Sequence, residues 1–465
     1  MQPSFAKFFA LSGGIFLTSC AAPHQFERAA TSPIIATNLP AETSQQATSS
    51  DGISNIPGEK PLNAPDIHIS TNPTLSQVLK RALLRHPEIK AAGLEQLARQ
   101  AEVQQASRLP NPEIEIELEN FAGNGGFSGF EGSETTVAVT QRIELGNKRK
   151  RQTDEAIQNT RVASFELETK RLEIFQNTAR RFYEALAAQE EVKVASDLLR
   201  SAERLEKSVS VSVRAGKANI LEQQQAALVL NRSRIVREQA NARRRGSLKS
   251  LAAVIGVPSN KITSVSGDLF NVTLPLPEQT LRQHLETTPR AARAAAEVAR
   301  RRASLATARA ERIPDLSLTG GARFDQESND RAFVASIGLP LPVFNRNKGT
   351  IAAAEARVNQ GIFDQQAQSI NLETLFSDRY NALVSVAQQT ITFKNKLIPA
   401  ARTNFQTSSR AFDQGSVNLI TLITSQQTLS ELQLETVRSA AQYHLTRIEL
   451  EGLLGRGVTS THKIR

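Results

Sequence analysis

The chain has 465 residues, among them one cysteine, one methionine and no tryptophan, and its formal net charge is +10. A single thiol excludes an internal disulfide framework, and the length exceeds that of one small domain. The basic excess would suit nucleic-acid binding, but no module of interleaved basic and aromatic residues accompanies it, so we expect no nucleic-acid partner.

The N-terminus predicts export from the cytoplasm. Lys7 precedes an apolar run over 8–17, and the small residues Thr18 and Ser19 separate that run from Cys20. Such a run is typical of a secretory signal peptide and is too short to span a membrane. Its ending on cysteine resembles the bacterial lipobox, which predicts a lipoprotein signal peptide over 1–19 and lipidation of Cys20. An ordinary signal peptide followed by a chance cysteine is the alternative.

The segment 20–73 begins at the lipidated residue and is rich in Ala, Thr, Ser, Pro, Asn and Gln. It shows no hydrophobic periodicity, and this composition buries too little apolar surface to offset the entropy lost on ordering. We expect an extended tether that packs at most in part along the rest of the protein. Ala21 resembles the residue that follows the cysteine in lipoproteins sorted to the outer membrane.

The rest of the chain contains one sequence unit twice. The segment 216–219 returns as 415–418, 251–256 returns as 450–455, and His86-Pro87 has a counterpart in Thr288-Pro289. The period is too long for a solenoid and indicates a single duplication. We predict a first repeat over 74–257, a connecting equatorial segment over 258–277, a second repeat over 278–456 and a C-terminal tail over 457–465.

Each repeat contains an exceptionally long helix. No proline occurs between 147 and 257, and Gly216 lies in a short polar turn. The first helix should run for about 65 to 70 residues, or roughly 100 Å. Apolar residues recur along it at steps of seven, three, four, three and four, as in a coiled-coil seam. They are Phe165, Leu172, Phe175, Ala179, Phe182 and Leu186. The second repeat predicts the same helix from about 349 to 413, with a kink at Pro399.

Two short strands precede each long helix. The segments 112–121, 135–143, 315–324 and 333–341 alternate apolar and polar residues. One apolar and one polar face match the wall of an outer-membrane barrel. Because four strands cannot close a barrel and lipid tolerates no open edge, several copies would have to complete it. A soluble sheet packed on the helices is the alternative.

Three segments and the duplication carry a family resemblance. The segments 111–121, 141–149 and 339–349 resemble the TolC-like outer-membrane efflux proteins, and within them the CzcC-type heavy-metal cation branch. One departure is Gly146-Asn147, where the branch usually has two glycines. The resemblance implies a mainly α fold with a small membrane β-barrel portion. Duplicated α-hairpins would form a periplasmic helical tunnel, and a homotrimer would complete a twelve-stranded barrel.

The same resemblance implies the function and the partners. The chain would be the outer-membrane duct of a tripartite resistance–nodulation–division system, joined to a periplasmic membrane-fusion adaptor and an inner-membrane transporter. It would sit in outer-membrane lipid and conduct cobalt, zinc, cadmium or similar cations passively, without enzyme activity, cofactor or bound metal. Export of drugs or other small molecules is an alternative. A non-conducting, lipid-anchored coiled-coil scaffold is an alternative of another class.

Three sets of residues are candidates for function. The acidic residues of the polar strand faces would line the pore, unless they only solvate its wall: Glu113, Glu115, Glu117, Glu119 and Asp315. The hairpin tips would dock the adaptor, and a purely structural role as turns is the alternative: Arg214, Gly216, Asn219, Asp413, Gly415 and Asn418. The basic run 148–151 follows a strand and could meet anionic headgroups at the periplasmic leaflet.

Overall fold

The computed structural model describes residues 69–459, so Cys20, the signal peptide and most of the tether lie outside the described residues. Nine α-helices and four strands form in this range, which confirms the mainly α fold. Their bounds are α1 (Leu75–Arg85), α2 (Pro87–Ala106), β1 (Glu113–Glu119), β2 (Glu134–Ile143), α3 (Lys148–Arg214), α4 (Ile220–Val254), α5 (Glu278–Arg282), α6 (Pro289–Ala310), β3 (Leu316–Asp325), β4 (Arg331–Gly338), α7 (Lys348–Thr392), α8 (Ile398–Asp413) and α9 (Leu419–Leu454).

Equivalent helices of the two repeats begin in the same way. His86 and Thr288 are the N-caps of α2 and α6, and each side chain accepts a backbone hydrogen bond ahead of a proline in the first turn. A proline there loses no helical hydrogen bond, because the first N–H groups have no intrahelical acceptor. The counterparts read from the sequence are therefore the same structural position.

The long helix of the first repeat is uninterrupted over 67 residues, as predicted. Its counterpart is divided, with a π-helical turn over Phe393–Leu397 between α7 and α8. The irregularity found near Pro399 is therefore this π-helical turn, which ends two residues before the proline. Proline cannot donate to the carbonyl of Asn395, and a widened turn relieves this mismatch. Within residues 69–459, no helix combines the length and the apolar character needed to cross a bilayer.

The helices next to the sheet follow the order of its strands. The sheet has the order β1-β2-β3-β4, and α2 packs on α3, α3 on α6 and α6 on α7. Farther from the sheet, α4 packs on α3, α3 on α9 and α9 on α8. The sheet and both sets of helices therefore have one end element from each repeat. The end elements are β1, α2 and α4 from the first repeat, and β4, α7 and α8 from the second.

The main core lies around the middle of α3. Phe182 and Leu186 are buried there together with Leu269 from the segment that connects the repeats. The predicted seam is buried only in this part, since Phe165 and Leu172 are half-exposed. Nearer the sheet, Leu167 and Ile174 occupy the core instead, because α3 changes its packing partners along its length.

An ion cluster joins both repeats next to this core. Arg180 of α3 and Arg379 of α7 both contact Glu449 of α9, at 2.8 Å and 3.0 Å. The two arginines are 199 residues apart and hold equivalent places in the repeats. One carboxylate thus binds the same residue of each repeat, which ties three helices together.

His444 of α9 is the most strongly perturbed base in this region. Its ring stacks on Tyr183 with centroids 4.1 Å apart, and Nε2 donates to the Leu269 carbonyl at 2.9 Å. Burial, reinforced by the charge of Arg447, lowers the pKa of His444 to about 3. The imidazole is therefore neutral at neutral pH and resists protonation in the folded state.

We expect His444 to make the fold sensitive to acid. Its folded pKa lies below its unfolded value, so the unfolded chain binds the proton first and stability falls below about pH 6.5. At pH 5 the loss from this residue should be about 2 kcal/mol. Urea unfolding at pH 7.5 and pH 5 should show a smaller pH dependence for His444→Gln than for the parent. Equal pH dependence in both proteins would contradict the assignment.

Candidate functional site

The strand register brings the large apolar strand residues to one face, except Val334 of β4, which lies on the other. The four strands pair antiparallel, and Ile116 lies opposite Val137, Val137 opposite Ala322, and Ala322 opposite Phe333. Rows on either side repeat the pattern with Ile114, Leu118, Val139, Leu318 and Ile337. The face is continuous across both repeats, although the strand sequences differ.

No other part of the described chain covers this apolar face. Ile116 is 70% exposed and Phe333 is 97% exposed. An apolar patch of this kind marks a contact surface with another protein or with a membrane. The alternative of a soluble sheet whose apolar side packs on the helices is therefore wrong.

The opposite face of the sheet carries most of its charge. Along β1, Glu113, Glu115 and Glu117 are exposed and form no ion pair within the described residues. Glu119 differs, because Arg323 lies 3.7 Å from it and 2.8 Å from Glu134. In total, six carboxylates and two guanidinium groups belong to this face of the strands.

Asp315 occupies a different setting from the strand glutamates. It lies just before β3 and accepts a hydrogen bond from Lys148 at 2.5 Å, and only 10% of the lysine side chain is exposed. The pair connects the start of α3 with the start of β3. Its carboxylate is thus neutralised within the chain.

The two hairpin tips are near-identical turns. Gly216 and Gly415 have φ angles of +72° and +73°, which favour glycine. The following amides, Lys217 N and Ser416 N, each donate to a carbonyl five residues back at 2.8 Å. Asn219 and Asn418 then cap α4 and α9 through their side chains.

The tips are also neighbours in space. Leu205 and Val209 of α3 are buried together with Leu419 and Leu422 of α9. A cleft of about 380 Å³ lies between α3 and α8, with Asp413 on its edge. Arg214 and Asp413 end their helices and are exposed, so the predicted tip residues form one exposed end.

No metal centre is found among residues 69–459, where no three His, Cys, Asp or Glu side chains are grouped to hold an ion. The glutamates of β1 alternate along one strand and are spread along its polar face. The site is therefore a charged surface, and its chemistry is electrostatic.

Sequence reasoning missed two features of this site. The ion pair of Lys148 with Asp315 joins residues 167 positions apart and has no local signal. The second missed feature is a row of exposed apolar residues on α4, and it does have a local signal. Leu221, Leu228 and Ile235 recur every seven positions. That spacing is typical of a helix seam that faces a partner.

Comparison with known proteins finds one protein family that matches both repeats of the chain. The model of the family described as "Outer membrane efflux protein" matches residues 78–257 and 280–456. The cobalt-zinc-cadmium resistance protein CzcC of Cupriavidus metallidurans is 27% identical over 82% of this chain and 90% of its own length. The pyoverdine export outer membrane protein OpmQ of Pseudomonas putida is 23% identical over 70% of each chain.

Among solved structures, that of CusC has the same fold. It superposes with a TM-score of 0.69 at 17% identity and covers 82% of this chain and 91% of its own. This likeness agrees with the fold predicted from the duplicated sequence.

Proposed function

The chain belongs to the outer membrane efflux protein family, and we propose that it is the outer-membrane channel of a tripartite efflux system for heavy-metal cations. The observation that carries the proposal is the two-sided sheet, which has one apolar face and one acidic face in register across both repeats. Apolar residues facing lipid and polar residues facing water characterise a membrane barrel wall. Cobalt, zinc or cadmium is the proposed cargo, since the relative CzcC is named for resistance to these metals.

A homotrimer is the proposed assembly. One copy supplies four strands, so three copies would give twelve and would leave no strand edge in the lipid. The outer helices support this arrangement, because Leu94 of α2 is 66% exposed and Phe363 of α7 is 68% exposed. These residues lie on the same two sides as β1 and β4. One copy's α7 would pack beside the next copy's α2, below the joint between their strands.

The proposed partners are a periplasmic membrane-fusion adaptor and an inner-membrane transporter of the resistance–nodulation–division type. The paired tips, with Arg214 and Asp413 at their ends, are the proposed adaptor site. Conduction through the channel would be passive, with the transporter supplying the energy and no cofactor bound. Lipidation of Cys20 would add an anchor to the barrel's own contact with the membrane.

Small organic molecules are a second candidate cargo. OpmQ is named for export of pyoverdine, so membership of the family does not by itself fix the substrate. The acidic polar face favours cations, because fixed negative charge raises the local concentration of cations and lowers that of anions.

A deletion strain and a planar bilayer test the proposal together. Loss of the gene should sensitise cells to divalent cobalt, zinc or cadmium, and the wild-type gene should restore growth. The purified full chain should run as a heat-modifiable trimer and conduct ions. Sensitivity to organic compounds alone would favour the second cargo, and trimers that pass no current would favour a scaffold.

The unpaired glutamates of β1 should set the ion preference. In the triple variant with Glu113→Gln, Glu115→Gln and Glu117→Gln, each copy loses three carboxylates that have no ion-pair partner. The reversal potential of single channels in a tenfold KCl gradient should therefore move toward zero. The matching triple Asp variant retains the charge and should keep the parent value. An anion preference in the parent channel would exclude this role.

A further inference from the structure

The first turn of α3, directly after the connection from β2, carries four consecutive basic residues over 148–151. Two of them are neutralised nearby, since Lys148 pairs with Asp315 at 2.5 Å and Arg151 lies 3.9 Å from Asp154. Arg149 and Lys150 form no ion pair within the described residues. Two neighbouring cations thus remain without an ion-pair contact in the part of the chain that the structure describes.

The second repeat shows that these charges are not needed to build the turn. Asn147 and Asn347 both adopt the left-handed conformation, with φ of 59° and 53°, and each is followed by a long helix that starts on lysine. After that lysine the second repeat continues with Gly349-Thr350-Ile351. Cations at a helix N-terminus oppose the helix dipole and reduce stability. The cations of the first repeat therefore call for another explanation.

Arg149 and Lys150 line a cleft of about 570 Å³ directly below the apolar face of the sheet. Its other side contains Ile143, which continues that face, and Leu109, which is 66% exposed. Arg142 and the carboxylates of Glu144 and Asp154 also line the cleft, and Asp154 lies 3.9 Å from Arg151, which neutralises it in part. One wall is thus apolar and contiguous with the apolar face of the sheet, while the other wall carries an excess of positive charge from Arg149 and Lys150.

We propose that this cleft binds the phosphate of an anionic phospholipid in the inner leaflet of the outer membrane. Arg149 and Lys150 bind the phosphate, and Leu109 and Ile143 contact the first carbons of the acyl chains. The inference rests on the proposed function, because it requires the sheet to lie in the membrane. A neighbouring copy is a less suitable occupant of the cleft than a lipid. Its segment 339–347, which follows β4, holds Arg346 and no acidic residue to pair with Arg149 and Lys150.

Lipid binding to the purified full-length trimer tests the proposal. Native mass spectrometry would compare dioleoyl phosphatidylglycerol with dioleoyl phosphatidylethanolamine on the parent and on the double variant R149Q/K150Q. Each basic residue near a membrane surface accounts for about a fivefold change in affinity for anionic lipid, so the double variant should bind phosphatidylglycerol about 25-fold more weakly. The matched control is R245Q/K249Q, which removes two exposed cations of α4 and should bind like the parent.

Three outcomes would overturn the site. An equal loss in R245Q/K249Q would mean that total charge governs binding. Displacement of the lipid by inorganic phosphate at equal concentration would mean a free-anion site. Unchanged affinity in R149Q/K150Q would mean that the cleft holds no lipid. The double variant should conduct ions like the parent. A parent that does not conduct would refute the proposed function, whereas the lipid-binding results decide the lipid site.

Discussion

Replacing Ile116 with arginine is expected to keep the protein out of the outer membrane. Ile116 lies at the centre of β1, in a row with Val137, Ala322 and Phe333 that spans all four strands. A charged residue on the lipid face of a barrel costs about 2 to 4 kcal/mol near the bilayer midplane. Since each copy in a trimer would carry the substitution, the total cost would be three times as large.

Glu115→Arg is the matched control, because it places the same side chain one residue away on the polar face. We expect the Glu115 variant to insert and to conduct, with a reduced preference for cations. Membrane fractionation and the yield of heat-modifiable trimers measure insertion, and planar bilayers measure conduction. Normal insertion and conductance of I116R would show that the apolar face does not contact lipid, and the proposed barrel would then be wrong.

Bulky side chains at the tips should abolish metal resistance while leaving the channel assembled. Gly216 and Gly415 have positive φ, where a side chain costs about 1 to 2 kcal/mol of backbone strain. A Cβ at either position would meet no other atom within 4 Å. Trp at both positions should therefore change only the local turn and the surface offered to the adaptor.

Gly246→Trp provides the control for these tip variants. Gly246 is exposed within α4, has no atom within 4 Å of an added Cβ and lies outside the tips. Resistance should fall to the level of the deletion strain in the tip variant and remain normal in G246W. Cross-linking to the adaptor in cells should follow resistance, and conductance of the purified channel should not change. Loss of trimers in the tip variant would mean that the glycines serve only as turns.

The sequence predicted most of the fold because its strongest signals are local or periodic. A 67-residue helix follows from the absence of proline, and the strands follow from their alternation. The predicted strand bounds agree with the structure to within two residues, except that β4 ends three residues sooner than predicted, at Gly338. Asn147, the departure from the family pattern, is compatible with the turn because asparagine tolerates the left-handed conformation.

The sequence predicted the candidate site less completely. Alternation alone placed four glutamates on one side of β1, but it did not show that Glu119 has Arg323 beside it while Glu115 has no such partner. The sequence groups Asp315 with these glutamates because it is acidic and opens the predicted strand 315–324 on its polar side. Its partner Lys148 comes from the other repeat, and a contact between such distant residues leaves no trace in local spacing.

By itself the sequence determined the duplication, the elements of each repeat and the two-sided character of every strand, since each is a pattern along one segment. The tertiary structure alone decided that the apolar sides of all four strands form one continuous face, because this depends on register between the strands. It also decided which charges remain unpaired at the end of β2 and along β1. Which charges are paired depends largely on contacts between the two repeats, and only folding brings the repeats together.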